Sequence, residues 1–267
     1  MYLFLINPEA GNRKFSRIER QLRRLLDRHR IKYRFVMIGN LTEVPDLLTK
    51  HLRPTDSGVV AVGGNATVNA VLNSLAGEEV PLGIIPLSRT NHLAHSLGLK
   101  RLSVAIKALA DRELKLERLG RIGQHYFVGE VEIAPRSGLL TQYLRKASPW
   151  MKFLGLTRQA ALTDDGTPTT IQLDDEVKVV GNTRRVQIKL NGEQGDKKLK
   201  LTFFTSPDPS TASVLHSDAL SVVGETKMPV LVGNEMVAHT PVEIRGLTKY
   251  VRLIVPKPSQ LTTAKSS

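Results

Sequence analysis

Residues 58–98 have the sequence GVVAVGGNATVNAVLNSLAGEEVPLGIIPLSRTNHLAHSLG, which indicates the class of the fold. The apolar run 58–62 ends at Gly63 and Gly64, a pattern that predicts a buried strand followed by a tight loop. From residue 66 to residue 75 the apolar positions recur at helical spacing, so a helix is predicted directly after that loop. Strand, glycine loop and helix together form one unit of an α/β fold.

The same pattern repeats further along the stretch. A strand is predicted at 82–85, a loop at 86–90 and a helix from about Asn91. Glycine lets the backbone approach a phosphate closely, and the N–H groups and dipole at a helix N-terminus favour negative charge. Two such loops in succession therefore predict an anion-binding site. A plain tight turn between strand and helix remains the alternative for either loop taken alone.

The two loops resemble the catalytic domain of diacylglycerol kinases and bacterial lipid kinases, a family that also includes sphingosine kinases. That family usually has Gly-Gly-Asp-Gly-Thr in the first loop, where this chain has Gly63-Gly64-Asn65-Ala66-Thr67 followed by Val68-Asn69-Ala70. In the second loop the family often has Pro-Leu-Gly-Thr-x-Asn-His/Asp-Phe-Ala. This chain has Pro86-Leu87-Ser88-Arg89-Thr90-Asn91-His92-Leu93-Ala94 there.

The resemblance implies an ATP-dependent kinase that uses Mg²⁺ and transfers a phosphoryl group to a lipid hydroxyl, as in phospholipid metabolism. The turn after the first predicted strand, Asn7-Pro8-Glu9-Ala10-Gly11, is similar to the family's Asn-Pro-x-x-Gly turn beside the nucleotide phosphates. An ordinary strand-to-helix turn is the alternative for this segment taken alone. The positions that the resemblance marks for nucleotide or phosphate binding are Asn7, Gly11, Gly63, Gly64, Asn65, Ala66, Thr67, Asn69, Arg89 and Asn91.

Acidic residues that the family uses for metal-linked chemistry are replaced here. Its Asp-x-Gly corresponds to Arg118-Leu119-Gly120, and its Asp-Asp-Gly-Leu-Leu-Asp to residues 216–221, where Asp218 is the remaining acid. Its Asp-Gly-Glu, which carries the usual catalytic base, corresponds to Gly233-Asn234-Glu235. Glu235 is therefore the candidate catalytic residue, with an exposed turn glutamate as the alternative. Weak or lost kinase activity is expected, and a non-catalytic protein that binds phosphate, nucleotide or anionic lipid is the alternative.

The second loop also gains a cation, because Arg89 stands where the family has a neutral residue. Together with the loss of the acid at Asn65, this moves the local charge toward positive. An arginine fork can bond two phosphate oxygens. The sequence thus predicts that a phosphate, sulfate or nucleotide binds at Gly63-Gly64 and Arg89 without Mg²⁺. The alternatives are an ion pair of Arg89 with Glu9 or Glu235, or a solvent-facing side chain.

Beyond this stretch, the period of the sequence divides the chain into two domains. Alternating strands and helices predict an open, mostly parallel α/β sheet over 1–113. Short alternating runs and turn signals predict a β-rich, sandwich-like domain over 114–248, with a helical insertion at about 138–162. The segment 241–256 resembles the family's C-terminal strand pair, and its last strand, about 249–256, is expected to return to the first domain. A disordered polar tail is expected after it.

The amino-acid composition limits the kinds of partner that can be expected. The chain has 267 residues, no cysteine and a net charge of +13. It therefore has neither disulfides nor a thiolate metal site. The N-terminus does not have the pattern of a signal peptide, and no stretch approaches the ~18 apolar residues that span a bilayer. A cytoplasmic protein with an anionic partner is expected. Nucleic acid is not expected, because no recognition motif accompanies the charge; homo-oligomerisation is left open.

Two segments suggest contact with a membrane surface. The predicted helix 13–30 has arginine and lysine on nearly all of its polar faces, which fits either a solvated face or an anionic surface. The insertion 138–162 combines Trp150 with basic residues, which fits either a helical lid or an interfacial anchor. Peripheral binding at the inner membrane face is therefore a further expectation.

Overall fold

The chain folds into two compact units. The computed structural model describes residues 1–10, 15–88, 91–135, 166–174, 176–190, 198–206, 208–233 and 235–257. Unit 1 comprises Met1–Leu119 together with Lys249–Ser267, and unit 2 comprises Gly120–Thr248. The predicted insertion at 138–162 and the tail after residue 257 lie outside the described residues.

Unit 1 is built on a parallel sheet. Its strands are β1 (Tyr2–Ile6), β2 (Tyr33–Met37), β3 (Gly58–Gly63) and β4 (Leu82–Pro86). They lie in the order β2-β1-β3-β4, and each neighbouring pair is parallel. All residues of β1 and β3 are buried, because helices can cover both faces of a parallel sheet. The C-terminal half of β16 (Val242–Val255) runs parallel to β4.

Five helices of unit 1 accompany these strands in the described residues. They are α1 (Phe15–Arg28), α2 (Val44–His51), α3 (Asn65–Ser74), α4 (His92–Ser96) and α5 (Leu102–Asp111). In α1, Phe15, Leu22 and Leu26 form the buried side, as their spacing of four and seven residues requires. The carboxyl ends of parallel strands share one edge of a sheet, so the loops that follow β1, β3 and β4 lie at that edge.

Unit 2 is antiparallel throughout its described strands. The strands after α5 are β5 Glu113–Ile122, β6 His125–Phe127, β7 Glu130–Ile133, β8 Thr167–Leu173, β9 Val177–Thr183, β10 Arg185–Leu190, β11 Leu199–Phe204, β12 Ser213–Ser217, β13 Ala219–Gly224, β14 Pro229–Val232 and β15 Glu235–His239. Of these, β5 begins in unit 1 and ends in unit 2. One sheet has the order β12-β11-β10-β7-β14-β15, and in the other the first half of β16 is followed by β13, β8 and β9. Both sheets contribute to one apolar core, which includes Val131, Ile188, Leu201, Val222 and Ile244.

The predicted fold class, a mostly parallel α/β domain with a β-sandwich-like second domain, is confirmed. The C-terminal segment corrects one detail: the expected strand pair in 241–256 is the single strand β16, of 14 residues. Gly246 lies within this strand, and its N–H donates to the carbonyl of Asp218 at 3.0 Å. Among the described residues, no helix is both long and apolar enough to cross a bilayer.

Candidate functional site

The first glycine of the Gly63-Gly64 pair is required by packing. A Cβ placed on Gly63 would lie 2.3 Å from Oγ1 and 2.4 Å from Cβ of Thr67, far inside normal contact distance. Thr67 is 1% exposed and has little room to move. The Gly63 carbonyl also accepts a hydrogen bond from the N–H of Leu87 at 2.9 Å, which joins the loops after β3 and β4. Gly63 therefore allows α3 to pack closely on the end of β3.

The second glycine has a different role. Gly64 is the N-cap of α3, with φ −87° and ψ −167°, so its backbone does not require glycine. A Cβ on Gly64 would meet nothing within 4 Å. Having no side chain, Gly64 makes no side-chain cap, and the start of α3 keeps space in front of it. That arrangement can accept an anion of phosphate size, because donors and helix dipole both face the space.

Asn65, at the position of the family's acid, links the two loops. Its side-chain Oδ1 accepts a hydrogen bond from the N–H of His92 at 3.1 Å. His92 is the first residue of α4, so this bond ties the N-terminus of α3 to that of α4. No pattern in the sequence marks His92 as the partner, because the two residues are 27 positions apart.

Asn7 connects the end of β1 to the same helix. Its Nδ2 donates to Oγ1 of Thr67 at 3.2 Å, and its Oδ1 accepts from the N–H of Glu9 at 3.2 Å. The Asn7 N–H donates to the carbonyl of Val62 at 3.0 Å. Asn7 and Thr67, two of the predicted site residues, are thus in contact through their side chains.

Asn91 caps the short helix α4 from a buried position. It is 0% exposed, and its Oδ1 accepts from the N–H of Ala94 at 2.9 Å. Its Nδ2 has no hydrogen-bond partner in the described part of the chain. Asn69, also predicted for the site, lies in α3, and its carbonyl accepts from Nδ2 of Asn73 at 2.8 Å. Ala66 is the second residue of α3. Gly11 and Arg89 lie outside the described residues, so their roles stay predictions.

The histidine His95, in α4, has a pKa below its ordinary value. Partial burial is the main cause that lowers the pKa of His95 in α4, and the charges of Lys100 and His92 lower this pKa further. His95 is therefore mostly neutral near pH 7.

Two further acid positions of the family hold residues that do not ligate Mg²⁺ as anions. Arg118, in unit 1, is 4% exposed, and a guanidinium carries donors but no acceptor. Ser217, in unit 2, is 2% exposed, and its hydroxyl donates to the carbonyl of Ala219. In the residues that the structure describes, no three His, Cys, Asp or Glu side chains are grouped as a metal site. Neither residue is one of the carboxylates that Mg²⁺ prefers.

An unpredicted residue, Asp174, organises the loop after β12 in unit 2. Its carboxylate accepts from the N–H of Asp218 at 3.1 Å and from that of Ala219 at 2.8 Å. Burial raises the pKa of Asp174, but hydrogen bonds from Ala219, the Ser217 hydroxyl and Asp218 outweigh it and hold the pKa below its ordinary value. Asp174 has a positive φ of 45°, which an Asp in a turn tolerates. A turn at Asp174 is the sequence signal that could have identified this residue.

Glu235, the candidate catalytic base, is the first residue of β15 in unit 2. It is half-buried and lies opposite Val232 across the β14–β15 hairpin. The hairpin turn contains Gly233, which has a φ of +64°. Whether Glu235 takes part in catalysis stays a prediction.

Comparisons with known proteins bear on both units. Residues 1–122 match the family described as the diacylglycerol kinase catalytic domain. The whole chain is similar to a diacylglycerol kinase from Bacillus anthracis str. Sterne, with a TM-score of 0.71, 16% identity and 97% of each chain covered. It is also similar to a provisionally named diacylglycerol kinase of that strain, with a TM-score of 0.73, 16% identity and 97% of each chain covered. Among curated proteins, no sequence matches.

At this identity the structural likeness establishes the fold. The family match covers the first domain, and both agree with the resemblance carried by the loops after β3 and β4. Residues 1–122 therefore match the family model of the diacylglycerol kinase catalytic domain, and the chain as a whole has the two-domain fold of these bacterial proteins.

Proposed function

We propose that this protein binds the phosphate groups of a nucleotide such as ATP at the N-terminus of α3, and that its transfer of phosphate to a lipid hydroxyl is weak or absent. The observation that carries the first part is the space at Gly64. A Cβ there would meet nothing within 4 Å, while the neighbouring Gly63 is packed against Thr67. The open position lies at the end of β3, in the domain that matches the kinase family.

The second part rests on the residues that replace acids. Phosphoryl transfer needs neutralisation of the developing charge and a group that accepts the proton of the attacking hydroxyl. Asn65, Arg118 and Ser217 supply no carboxylate at the positions where the family has acids. Glu235 remains for the proton-accepting role. A base alone leaves the phosphate charge uncompensated, so turnover should be far below that of an ordinary kinase.

Binding is tested by calorimetry with ATP on wild type and on Gly64→Asp. Aspartate is a good N-cap residue, so this variant should fold and melt at or above the wild-type temperature. Its carboxylate would occupy the space at Gly64 and repel phosphate, so ATP binding should weaken at least tenfold. Gly181→Asp is the matched control: it adds the same charge in β9, where a Cβ also meets nothing within 4 Å. Equal ATP binding by Gly64→Asp and wild type would contradict the site.

Transfer is tested with Mg²⁺, labelled ATP and diacylglycerol in mixed micelles. We expect product formation no faster than that of Glu235→Gln. Turnover of about 1 per second or more, the lower range of ordinary kinases, would overturn the proposal of weak activity. If a slow rate is found, its persistence in Glu235→Gln would remove Glu235 from the catalytic role.

A second candidate function is binding to an anionic lipid surface, favoured by the outer side of α1. Exposed arginines cover the side of this helix opposite Phe15, Leu22 and Leu26; they are Arg17, Arg20, Arg23, Arg24 and Arg28. Arg23 pairs with Glu19 at 2.7 Å and stacks 4.5 Å from the ring centre of Phe35. The other four add positive charge to one surface. Each such residue contributes about 1 kcal/mol near an anionic membrane.

A further inference from the structure

We infer that two copies of this chain associate through β9, the strand at the outer edge of one sheet of unit 2, and that the two strands pair antiparallel about Val180. In the described part of the chain, β9 has a single neighbouring strand, β8. Its far edge therefore presents backbone groups with which a further strand can pair. The inference concerns unit 2 alone and does not depend on nucleotide binding at α3.

The strand behind β9 shows which backbone groups point to the open edge. The carbonyl of Pro168 in β8 accepts the N–H of Glu225, which directly follows β13, at 2.9 Å, so Pro168 turns its backbone toward β13. Successive residues of a strand alternate in this direction, and Thr169 therefore turns toward β9, where it lies opposite Gly181. Every second residue of β9, counted from Gly181, bonds to β8. The residues that direct their N–H and C=O groups to the open edge are Lys178, Val180 and Asn182.

The strand β9 lacks most of the features that keep an edge strand from pairing. It has 7 residues and no proline, and its register with β8 runs without a bulge. Val180 is 68% exposed, more than any other exposed large hydrophobic residue of the described chain. The edges of the other sheet are less suited, because β12 has 5 residues and β15 pairs with β14 in a shifted register. The edge at β9 is therefore the most suitable one in unit 2 for a further strand.

The charges along β9 favour one register of self-pairing. With a two-fold axis at Val180, this valine lies opposite its own copy, and Lys178 lies opposite Asn182 of the second copy. An axis at Lys178 would instead place two lysines opposite each other. An axis at Gly181 would bring Lys178 opposite Arg184, again with like charges, which destabilise a sheet when they are directly opposite. The axis at Val180 avoids both repulsions and pairs the exposed valines.

The same register extends the exposed side of the sheet. Val180 lies beside Thr170 of β8, and Thr170 lies beside Val223 of β13, which is 44% exposed. Across the axis this row would continue with the same residues in reverse order, and β-branched side chains pack well against cross-strand neighbours. Glu176, just before β9, would lie toward Arg184, just after β9 in the second copy. Unlike charges therefore meet at both ends of the pairing.

Sedimentation velocity at several protein concentrations measures the association. The protein carries a net charge of +13, so the measurement is made at about 0.15 M salt, which screens repulsion between copies. An interface of one strand per copy is small, and we expect a reversible dimer with a dissociation constant of roughly 10–100 μM.

Val180→Lys should raise this dissociation constant at least tenfold, because two lysines would face each other at the axis. The side chain is exposed in the monomer, so the melting temperature should stay within about 2 °C of that of wild type. Val214→Lys is the matched control. It adds the same charge at a 47% exposed valine of β12, the edge strand of the other sheet, and should change the dissociation constant less than threefold.

Two variants of the exposed Asn182 test the register. Asn182→Asp would place a carboxylate opposite Lys178 of the second copy and should tighten the dimer at least threefold. Asn182→Lys would place two lysines opposite each other and should weaken it at least tenfold. Equal dissociation constants for the two variants, or the opposite ranking, would overturn the register about Val180.

Hydrogen exchange of wild type at low and high protein concentration locates the interface. The N–H groups of Lys178, Val180 and Asn182 should exchange more slowly at high concentration, whereas those of Val179 and Gly181, which face β8, should not change. A wild-type protein that remains monomeric at about 1 mM would overturn the inference. A dimer that Val180→Lys leaves intact would overturn it as well.

Discussion

Replacing Gly63 by alanine should destabilise unit 1 far more than the same change at Gly64. The new methyl group on Gly63 would lie 2.3 Å from Oγ1, 2.4 Å from Cβ and 2.7 Å from Cγ2 of Thr67. Relief requires a shift of about 1 Å or more, and Thr67 is β-branched, buried and held in α3. Either α3 moves away from β3 or the end of the strand bends.

The expected cost has two parts. Overpacking of a buried site costs about 1–3 kcal/mol. Displacing Thr67 also weakens its hydrogen bond from Asn7, worth about 1 kcal/mol. The sum, about 2–4 kcal/mol, corresponds to a drop in melting temperature of roughly 5–15 °C for a unit of this size. At Gly64, alanine meets open space and loses a modest N-cap preference, about 0.5–1 kcal/mol.

Thermal and urea denaturation followed by circular dichroism measure the two variants. Because the chain has two compact units, we expect two unfolding transitions, and the loss of stability should appear in the transition of unit 1. Hydrogen exchange in β3 and α3 assigns that transition. If Gly63→Ala unfolds within error of Gly64→Ala, Thr67 yields freely and the packing argument for Gly63 is wrong.

Three other predictions concern charge. Asp174→Asn should destabilise unit 2 at pH 7, and the difference in unfolding free energy from wild type should shrink as the pH falls below about 4. The folded-state pKa of Asp174 is depressed, so the stability contributed by its carboxylate is present above the ordinary carboxyl pKa and is lost on protonation. Urea titrations at several pH values measure this difference, and a difference that does not change with pH would contradict the prediction. Asp56→Ala should lower the unfolding free energy by about 3 kcal/mol, because the Asp56 side chain is 1% exposed and pairs with Arg34 at 3.0 Å. Asp56→Asn should lower it less. Chemical denaturation that ranks the two variants in the opposite order would refute this. The double variant Arg20→Glu/Arg24→Glu in α1 should weaken cosedimentation of the protein with anionic vesicles at low salt. The weakening should exceed that caused by the same charge reversal at Lys178 and Lys227 in unit 2. If wild type bound neutral and anionic vesicles equally, the electrostatic contribution would be refuted.

The parallel sheet of unit 1 could be predicted because its strands β1 and β3 are uninterrupted apolar runs. The residues of β1 and β3 are buried on both faces, and such strands differ from amphipathic segments by composition alone. The helix α1 was equally accessible, since its apolar residues follow the helical period. A local sequence pattern is sufficient to predict an element whose buried positions are evident from its own residues.

Strands with one polar face were harder to predict. The strands β8 and β9 have the sequences TPTTIQL and VKVVGNT, in which threonine and exposed valine weaken the alternation; Val180 is 68% exposed. These strands form because β8 and β9 pair with each other and β8 also pairs with β13, contacts that the local sequence pattern does not reveal. Tertiary pairing decides such segments more than intrinsic preference does.

The candidate site could likewise be predicted from the sequence only in part. The glycine pair identified the loop, but its two members look alike in sequence and differ in space: Gly63 is required by Thr67, and Gly64 leaves a position open. The bond between Asn65 and His92 joins residues 27 positions apart, which no spacing rule encodes. Asp174 was missed because its role depends on the backbone of Asp218 and Ala219, from a distant strand.

The strand β16 affects the order in which the protein can be completed during synthesis. Its residues Val251, Leu253 and Ile254 are at most 1% exposed, and Leu253 pairs with Leu82 of β4. On the ribosome, β4 emerges long before β16, and at about 5–20 residues per second the delay is on the order of 10–30 s. Throughout that time β4 presents an unpaired edge. The nascent first domain should therefore be a substrate for chaperones that shield sheet edges, until the last strand arrives and closes it.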